Sequence, residues 1–300
     1  MREIDIVAQI RKLAGPMPKG AGLVKGIGDD CTILHSRAKE DLVFTTDFVL
    51  EGRHFTLDTH SAAHIGHKAL ARSLSDLAAM GSEPVFCLVS LAVPSRLGAQ
   101  WVRGFYRGLL ALAKRYNTAL AGGDLARFDS VVADVMCCGR VRQGRGLLRS
   151  TAQKGDRIFV TGELGGSAHG FAVKRGKQWR RHLRPEPRVE AGRVLARLRV
   201  SACMDLSDGL VLDLHRLCSE SKVSAELTGA LPIARGASLD EALYGGEDYE
   251  LLFTAPAQPR IPSEIAGLPV TCIGVITSGN PGKIRYNGRP LSIKGFDHFA

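Results

Sequence analysis

Gly26-Ile27-Gly28-Asp29-Asp30 is the first of several short turns in which small residues precede acidic ones. The two glycines permit a tight backbone path, and the adjacent carboxylates repel each other, so the stretch is poor core material. The pattern recurs in Thr45-Thr46-Asp47, Ser75-Asp76, Gly122-Gly123-Asp124, Asp205-Leu206-Ser207-Asp208 and Gly245-Gly246-Glu247-Asp248. A single turn of this kind is common in proteins and indicates no function, but six of them in a basic chain predict a shared site for cations and phosphate.

Composition indicates a globular protein of one large or two ordinary domains. The chain has 300 residues, 45% hydrophobic and 23% charged. The longest apolar run, Val85 to Val93, is too short to span a membrane, and the stretch Met1 to Asp5 does not resemble a signal peptide. The seven cysteines form no Cys-x-x-Cys pair, so a zinc ribbon and a disulfide framework are not indicated. We therefore expect a cytoplasmic protein without a membrane partner.

The net charge of +10 is concentrated in one segment rather than spread over a face. Between Lys174 and Arg188 there are seven basic residues against one acid, Glu186. We interpret this segment as a solvated surface loop, with phosphate or polyanion binding as the alternative. A nucleic-acid binder would interleave basic and aromatic residues, whereas only 6% of the residues are aromatic.

In the first half, the apolar pattern predicts helices over 4–13, over Ser61 to Met80 and around Trp101 to Leu112. Asp76 falls off the apolar face of the second helix, and Gly81 ends it. A Gly/Pro-rich loop follows the first helix over 15–22. Predicted strands are Cys31 to Leu34, Leu42 to Thr45 with Asp47 at a strand end, Val85 to Val93 as a buried strand, Ala119 to Ala121 leading to Asp124 at a tip, and Val131 to Val141.

In the second half, predicted strands are Arg157 to Thr161, Tyr249 to Thr254 and Pro269 to Ile276. Gly162 to Ser167 reads as a glycine-rich turn that opens a helix, and Pro187 to Leu198 reads as helical. Ser207 and Asp208 are predicted N-cap residues of a helix with a buried stripe at Leu210, Leu214, Leu217 and Cys218. Gly144-Arg145-Gly146 is the best linker candidate. The pattern predicts two α+β domains, residues 1–143 and 144–300.

The acidic turns supply the hard oxygen ligands that magnesium prefers, alongside substrate phosphates. Asp205 and Asp208, three residues apart at a predicted helix start, add carboxylates beside backbone N–H groups that favour anions. The sequence contains no P-loop, no Rossmann fingerprint after a strand and no His-Glu-x-x-His motif. The residues alone therefore predict a multi-magnesium phosphate enzyme and leave its reaction open.

Taken in order, the motifs resemble those of thiamine-monophosphate kinases, within the aminoimidazole ribonucleotide synthetase superfamily. The most specific pieces are Ser75-Asp76-Leu77-Ala78-Ala79-Met80-Gly81 and Gly245-Gly246-Glu247-Asp248-Tyr249-Glu250-Leu251. The acidic turns, Glu51-Gly52-Arg53-His54-Phe55 and Lys68-Ala69-Leu70-Ala71 extend the similarity over nearly the whole chain.

This resemblance implies a two-domain synthetase-like fold of the α+β / α/β class. The N-terminal domain would bind ATP and magnesium and form a β-barrel across a homodimer, and the C-terminal α/β domain would pack beside the ATP cleft. The implied reaction is ATP-dependent phosphorylation of thiamine monophosphate (TMP) to thiamine diphosphate by direct in-line transfer at a site with several Mg²⁺ ions.

The resemblance also implies roles for individual residues. Asp30 and Asp208 would be catalytic. The implied magnesium ligands are Asp30, Thr45, Thr46, Asp47, Asp76, Asp124, Asp205 and Asp208. ATP would contact Gly123, Arg149, Ser207 and Tyr106, with Arg149 following a strand over Arg145 to Leu148. TMP would contact His54, Glu247 and Phe296, although Phe296 could instead be a C-terminal core aromatic.

Two alternatives remain at this stage. Another ATP-dependent synthetase, or a hydrogenase-maturation relative of the same superfamily, would use the same cleft with another acceptor. A non-catalytic, basic nucleic-acid-binding protein is the alternative from a different class.

Overall fold

The computed structural model describes residues 23–25, 29, 31–35, 39–258 and 260–296. The predicted helix over 4–13, the loop over 15–22 and the proposed ligand Asp30 lie outside the described residues. Among the described helices, none has both the length and the apolar character needed to cross a membrane.

The first half forms a six-stranded sheet with two helices on one face. The strands are β1 Leu23–Lys25, β2 Thr32–His35, β3 Glu40–Leu50, β4 Glu83–Val93, β5 Ala119–Arg127 and β6 Val132–Arg142; the helices are α1 Ala62–Ala79 and α2 Ala99–Arg115. The strand order is β1-β2-β3-β6-β4-β5, antiparallel except for the parallel pair β4 and β5. The predicted helices over 61–80 and 101–112 are therefore confirmed.

Helix α1 lies at the centre of the molecule. Ser61 caps it by accepting the backbone N–H of His64, and its apolar residues are almost all buried. Its contact with α2 is unusually close, because a Cβ on Gly66 would lie 2.0 Å from the carbonyl oxygen of Phe105. Asp76 is half-buried and off the apolar stripe, as predicted.

Three strand predictions in this half need correction. Asp47 lies inside β3, opposite Val135, rather than at a strand end. Likewise β5 continues through Gly122 and Gly123, so Asp124 lies within an edge strand and not at a tip. The β4 strand is buried on one face only, since Leu88 is 36% exposed. The short apolar runs located the strands, but pairing with β6 extends β3 past its run, and pairing with β4 extends β5 past its run.

The face of this sheet that points away from α1 carries exposed apolar side chains. Phe48 on β3 and Leu88 on β4 are the exposed apolar residues of this face. Val85, Leu125 and Phe128 are also exposed, but Leu125 pairs with the core residue Leu91 and therefore lies on the other face of the edge strand. Phe48 and Leu125 are 56% and 62% exposed, respectively. Exposed apolar patches of this kind are typical of protein interfaces.

The second half forms a sheet in the order β14-β13-β9-β12-β7-β10-β8, with β11 on β12. Its strands are β7 Arg157–Thr161, β8 Ala202–Asp205, β9 Ser224–Leu227, β10 Leu251–Ala255, β11 Glu264–Ile265, β12 Leu268–Thr277, β13 Ile284–Tyr286 and β14 Arg289–Pro290. Its helices are α3 Gly166–Val173, α4 Gly176–Leu183, α5 Val189–Leu198, α6 Leu210–Glu220 and α7 Leu239–Tyr244. The molecule is thus mixed α+β with two sheets.

The second sheet packs against a core on each face, because successive side chains of a strand point to opposite sides. Phe159 and Phe253 stack with ring centroids 5.2 Å apart and join the core of the first half. Ile158, Val160 and Leu252 face the other way, onto the predicted stripe of α6. The first of these two cores is therefore shared by both halves of the chain, and the second belongs to the second half alone.

The basic segment from Lys174 to Arg188 is only partly the predicted solvated loop, because Arg181 and Arg188 turn inward while its other basic residues are exposed. It contains α4, and Arg181 and Arg188 are only 15% and 16% exposed. Both guanidinium groups bind Glu250, at 3.0 and 2.6 Å. Glu250 is fully buried and also accepts the hydroxyl of Thr161. The acidic partner is distant in sequence, so the local charge count missed it.

Two further local predictions were wrong. The stretch before Arg149 is not a strand, and a short 3₁₀ helix follows at Arg149–Thr151. Gly209, not Ser207 or Asp208, caps α6, and its φ of +115° is suited to glycine. The orphan backbone N–H groups of Asp208 and Gly209 are bound instead by the Asp213 carboxylate from inside the helix, at 3.0 and 3.1 Å.

Candidate active site

Four of the predicted acidic residues line one cavity at the junction of the two halves, which we call the acidic cleft. They are Asp47 on β3, Asp76 on α1, Asp205 at the end of β8, and Asp208. Arg72, Ser207 and Tyr249 complete the wall of this cavity of about 160 Å³. Elements from distant parts of the chain thus bring these turns together, as the sequence predicted.

Neighbouring hydroxyl and guanidinium groups hold the carboxylates of the acidic cleft. Thr45 donates its hydroxyl to Asp76, and Ser75 donates its hydroxyl to Asp205 at 2.6 Å. Arg72 donates to Asp47 at 3.1 Å and to the phenol oxygen of Tyr249 at 3.0 Å. Burial raises the pKa of Asp47, although Arg72 opposes the shift and Asp208 adds to it.

Asp208 belongs to a second small network at the start of α6. Arg216 pairs with Asp208 and, at 3.1 Å, with Asp213. Burial and the neighbouring Asp208 charge raise the pKa of Asp213 to about 7, against the opposing charge of Arg216. The Arg149 charge also lowers the pKa of Asp213 in part.

Beside the acidic cleft lies a larger, more apolar cavity of about 260 Å³, which we call the aromatic pocket. Phe55, Phe171 and Phe296 line it together with His54, His182 and Glu247. It shares Arg72, Ser207 and Asp208 with the acidic cleft, so the two cavities adjoin. Phe296 is 37% exposed and lies 6.2 Å from the His54 ring, which places it in the pocket wall rather than in the core.

A buried polar network supports Glu247 in this wall. Lys68 on α1 is fully buried and places Nζ 2.9 Å from Oε2 of Glu247. His182 on α4 lies 3.4 Å from the same oxygen and 2.9 Å from the hydroxyl of Ser167. Lys68 also donates to the carbonyl oxygen of His54 at 3.2 Å.

These contacts fix the charge on Glu247. Burial disfavours its ionisation, but Lys68, His182 and Arg72 together outweigh burial and lower its pKa to about 2. Burial lowers the pKa of Lys68, and Glu247 partly restores it. Burial and Lys68 lower the pKa of His182 to about 4, so this imidazole is neutral at pH 7. The pocket wall therefore presents a carboxylate whose charge is held by a buried ammonium group.

The segment from Gly246 to Glu250 has a backbone conformation that is unusual for non-glycine residues. Glu247 and Tyr249 have left-handed φ values of 62° and 50°, which is costly for non-glycine residues. Backbone bonds to the 206–208 turn hold this conformation, with Glu247 N–H donating to Ser207 at 2.7 Å. A Cβ on Gly246 would lie 2.6 Å from the Ser207 carbonyl oxygen, so glycine is required there.

The structure does not bring every predicted residue into the cleft. Thr46 lies on the opposite face of β3 from Thr45 and Asp47, where its hydroxyl binds Asp134. Asp124 is exposed on edge strand β5, which β4 and β6 separate from β3. Gly123 has a local structural role, because a Cβ there would lie 1.9 Å from the Val89 carbonyl oxygen. Tyr106 packs edge-on against Phe105 on α2 and lines neither cavity.

Asp29 accepts the backbone N–H of Arg149 at 3.3 Å. Arg149 is half-buried, and its carbonyl oxygen accepts the hydroxyl of Ser221 at 2.6 Å.

The donor chemistry of the acidic cleft fits magnesium. In the described part of the chain, no three acidic, histidine or cysteine side chains are close enough to form a complete ion site. Mg²⁺ does not require one, since it usually takes one or two carboxylates together with phosphate oxygens and water. Asp47, Asp76, Asp205 and Asp208 are hard oxygen donors of this kind.

Sequence reasoning missed Lys68 and Arg72, whose charges act on the site, and the buried neutral His182. A signal was present for Lys68, because it lies three residues after Ile65 and so on the buried side of a strongly apolar helix. Arg72 follows Lys68 at the i, i+4 spacing. His182 was hidden in the basic segment, where only the fold shows that it turns inward.

Comparison with known proteins agrees with this geometry. Two family models match, "AIR synthase related protein, N-terminal domain" over residues 28–141 and "AIR synthase related protein, C-terminal domain" over residues 153–287. The thiamine-monophosphate kinase of Salmonella typhimurium is 38% identical over 92% of each chain. A solved structure described as AaThiL complexed with AMPPCP and TMP is 30% identical, with a TM-score of 0.89 over 99% of this chain and 97% of the other.

A more distant solved structure, the hydrogenase maturation protein HypE in complex with ATP, has a TM-score of 0.68 over 85% of each chain. At 16% identity it shares the fold alone. The two matching family models, the extent of the 38% identity and the arrangement of the two cavities lead to one conclusion: the chain belongs to the thiamine-monophosphate kinase family of AIR synthase related proteins.

Proposed function

We propose that this protein phosphorylates thiamine monophosphate with ATP and releases thiamine diphosphate and ADP. The observation that carries the proposal is the junction of an acidic cleft with an aromatic pocket through Arg72, Ser207 and Asp208. A phosphoryl-transfer enzyme needs this arrangement, because the nucleotide phosphates and the acceptor must meet in line. The relative that binds AMPPCP and TMP supports the same assignment.

The aromatic pocket suits the thiamine part of the acceptor. Phe55, Phe171 and Phe296 offer ring surfaces, and stacked or edge contacts with aromatic groups stabilise flat ligands. The thiazolium ring of thiamine is cationic, and Glu247 presents a carboxylate with a pKa of about 2. We assign His54, Glu247 and Phe296 to TMP binding on this basis.

We assign the acidic cleft to the phosphate groups and to magnesium. Asp47, Asp76, Asp205 and Asp208 would hold Mg²⁺ ions, with Thr45 positioning Asp76 and with Asp30 as a further ligand. When bound, magnesium neutralises phosphate charge and aligns the reacting groups. Ser207 and Arg149 are the proposed nucleotide contacts near Asp208. The ligand or nucleotide roles implied for four other residues remain predictions, because within a single chain these residues lie outside the acidic cleft: Thr46, Gly123, Asp124 and Tyr106.

The chain needs no general base for this reaction. The attacking group is a phosphate oxygen, which is already largely ionised near neutral pH, so repulsion between two anions is the main obstacle. Arg72 reduces that repulsion, because its guanidinium lies on the wall that both cavities share. The side chains therefore position the two substrates and neutralise their charge, and the phosphoryl group passes directly from ATP to TMP.

Incubation with TMP and ATP labelled in the γ-phosphate tests this mechanism. The label should move to thiamine diphosphate, and denatured protein should retain none. Label covalently bound to a protein side chain would contradict direct transfer.

We also propose a cytoplasmic homodimer with domains at 1–143 and 144–300. The exposed apolar side chains of Phe48 and Leu88 on one face of the first-half sheet support pairing between two such sheets as a barrel, and seven free cysteines fit a reducing compartment. Light scattering should give twice the chain mass. A strictly monomeric protein at working concentration would contradict the dimer.

The two alternatives are less well supported. A nucleic-acid binder would keep all the arginines of the basic segment available, whereas two of them, Arg181 and Arg188, are bound to Glu250. A synthetase with another acceptor would use the same acidic cleft, but Phe171, Phe296 and Glu247 favour a flat, cationic acceptor. TMP should therefore be accepted in preference to acceptors that lack an aromatic ring.

A further inference from the structure

A third cavity lies away from the acidic cleft and the aromatic pocket, and we call it the arginine cavity. Its volume of about 370 Å³ exceeds that of the aromatic pocket. Six arginines line it: Arg140, Arg142 and Arg145 at the end of β6 and beyond, and Arg193, Arg197 and Arg199 on and after α5. Residues from both halves of the chain thus form one basic concavity.

The positive charge of this cavity is only partly compensated. Glu40 and Glu83 are the acidic residues of its wall. Glu83 is shared, with Arg140 at 3.2 Å and Arg193 at 3.9 Å, and Arg193 also pairs with Glu190 at 3.1 Å, just outside the wall.

The other four arginines of the wall have no such partner. Arg142, Arg145, Arg197 and Arg199 make no ion pair with any residue that the structure describes. Like charges gathered in one concavity repel each other and focus a field that attracts anions.

The lining also limits the kind of anion. Apart from the arginines and the two glutamates, Gly81, Val141 and Ala196 form the wall, and no aromatic side chain is among its described residues. A nucleoside base or a thiamine ring would find no surface to stack on. The guanidinium fork instead matches phosphate oxygens in a bidentate manner. A compact anion with several phosphate groups fits both properties.

The wall is preformed, because α5 packs directly on the end of α1. A Cβ on Gly192 would lie 2.0 Å from the carbonyl oxygen of Ala78, and a Cβ on Gly81 would lie 2.7 Å from the Cβ of Ala196. Backbones this close leave little room for α5 to move. The backbone that carries Arg193, Arg197 and Arg199 is therefore fixed beside the end of β6.

We propose that the arginine cavity is a second anion site that binds compact inorganic oligophosphates such as pyrophosphate and triphosphate. The site is separate from the acidic cleft and does not depend on the proposed reaction. Because its arginines come from both halves of the chain, a bound oligophosphate stabilises their contact.

The test is calorimetric titration of pyrophosphate and tripolyphosphate into the full chain, at fixed ionic strength and without magnesium. The double variant Arg145→Gln/Arg197→Gln should weaken binding at least about tenfold, as expected for two lost charge-assisted contacts. The matched control is Arg235→Gln/Arg289→Gln, which removes two exposed arginines outside the cavity. It should bind within about twofold of the wild type, since long-range charge is screened.

Three results would overturn the proposal. Equal weakening in the control would mean diffuse attraction to a basic protein. Loss of binding in Arg72→Gln but not in Arg145→Gln/Arg197→Gln would place the anion in the acidic cleft. Tighter binding of a single-stranded oligonucleotide than of tripolyphosphate through the same arginines would make the cavity part of a polymer site.

Discussion

Lys68 and Glu247 join the two halves of the chain at the wall of the aromatic pocket, with Nζ 2.9 Å from Oε2. The lysine is fully buried and comes from the central helix α1, whereas Glu247 lies in the strained segment before β10. The pair therefore couples the packing of the halves to the charge that faces the acceptor.

Replacing Lys68 with methionine should lower both the stability of the protein and its affinity for TMP. Removing one partner of a buried ion pair costs about 3–5 kcal/mol of unfolding free energy, because the remaining charge is left uncompensated. We also expect the KM for TMP to rise about tenfold or more as Glu247 loses its anchor, with a smaller change in kcat. Urea denaturation and steady-state kinetics measure the two effects.

Lys177→Met is the matched control, since Lys177 is 78% exposed and should tolerate the change. A double-mutant cycle with Glu247→Gln should give a coupling above about 1 kcal/mol. Additive effects of the two substitutions would contradict the structural pairing.

Stability should fall with acidification partly through His182. Its folded-state pKa is about 4, below the ordinary 6.5, so the unfolded chain binds more protons between those values. The stabilisation is complete above about pH 6.5 and is lost as the pH falls towards 4. His182→Asn should reduce the slope of unfolding free energy against pH by up to about 1.4 kcal/mol per pH unit in that window. An unchanged slope, measured by urea denaturation at several pH values, would show that His182 is not buried as a neutral group.

Asp208→Asn should reduce activity far more than stability. The substitution removes a carboxylate from the acidic cleft. We therefore expect kcat to fall by about a hundredfold or more, and the magnesium concentration that gives half-maximal activity to rise. Asp240→Asn on the exposed start of α7 is the control and should leave both parameters unchanged. Full turnover of Asp208→Asn at low magnesium would make the metal assignment wrong.

Arg188→Met tests the corrected view of the basic segment. The substitution removes a guanidinium 2.6 Å from the buried carboxylate of Glu250, so we expect a loss of about 3 kcal/mol or more in unfolding free energy. Arg180→Met changes an exposed arginine of the same segment and should cost less than about 0.5 kcal/mol. Similar, small effects of both changes would restore the solvated-loop interpretation.

The acidic turns predicted much of the acidic cleft, because Asp47, Asp76, Asp205 and Asp208 lie where core elements end or pass the junction of the two halves. The same reasoning misplaced Asp47 and Asp124, since strand pairing continues past the apolar runs that indicate a strand. It also missed Lys68 and His182. Their roles depend on partners more than 100 residues away, which no local pattern of charge or hydrophobicity contains.

The most direct test of the central claim is ADP release from ATP and magnesium with TMP as the sole added acceptor. We predict that TMP stimulates ADP release strongly and that one thiamine diphosphate forms for each ADP. ADP release that is the same with and without TMP would contradict the proposed function and leave the fold unchanged.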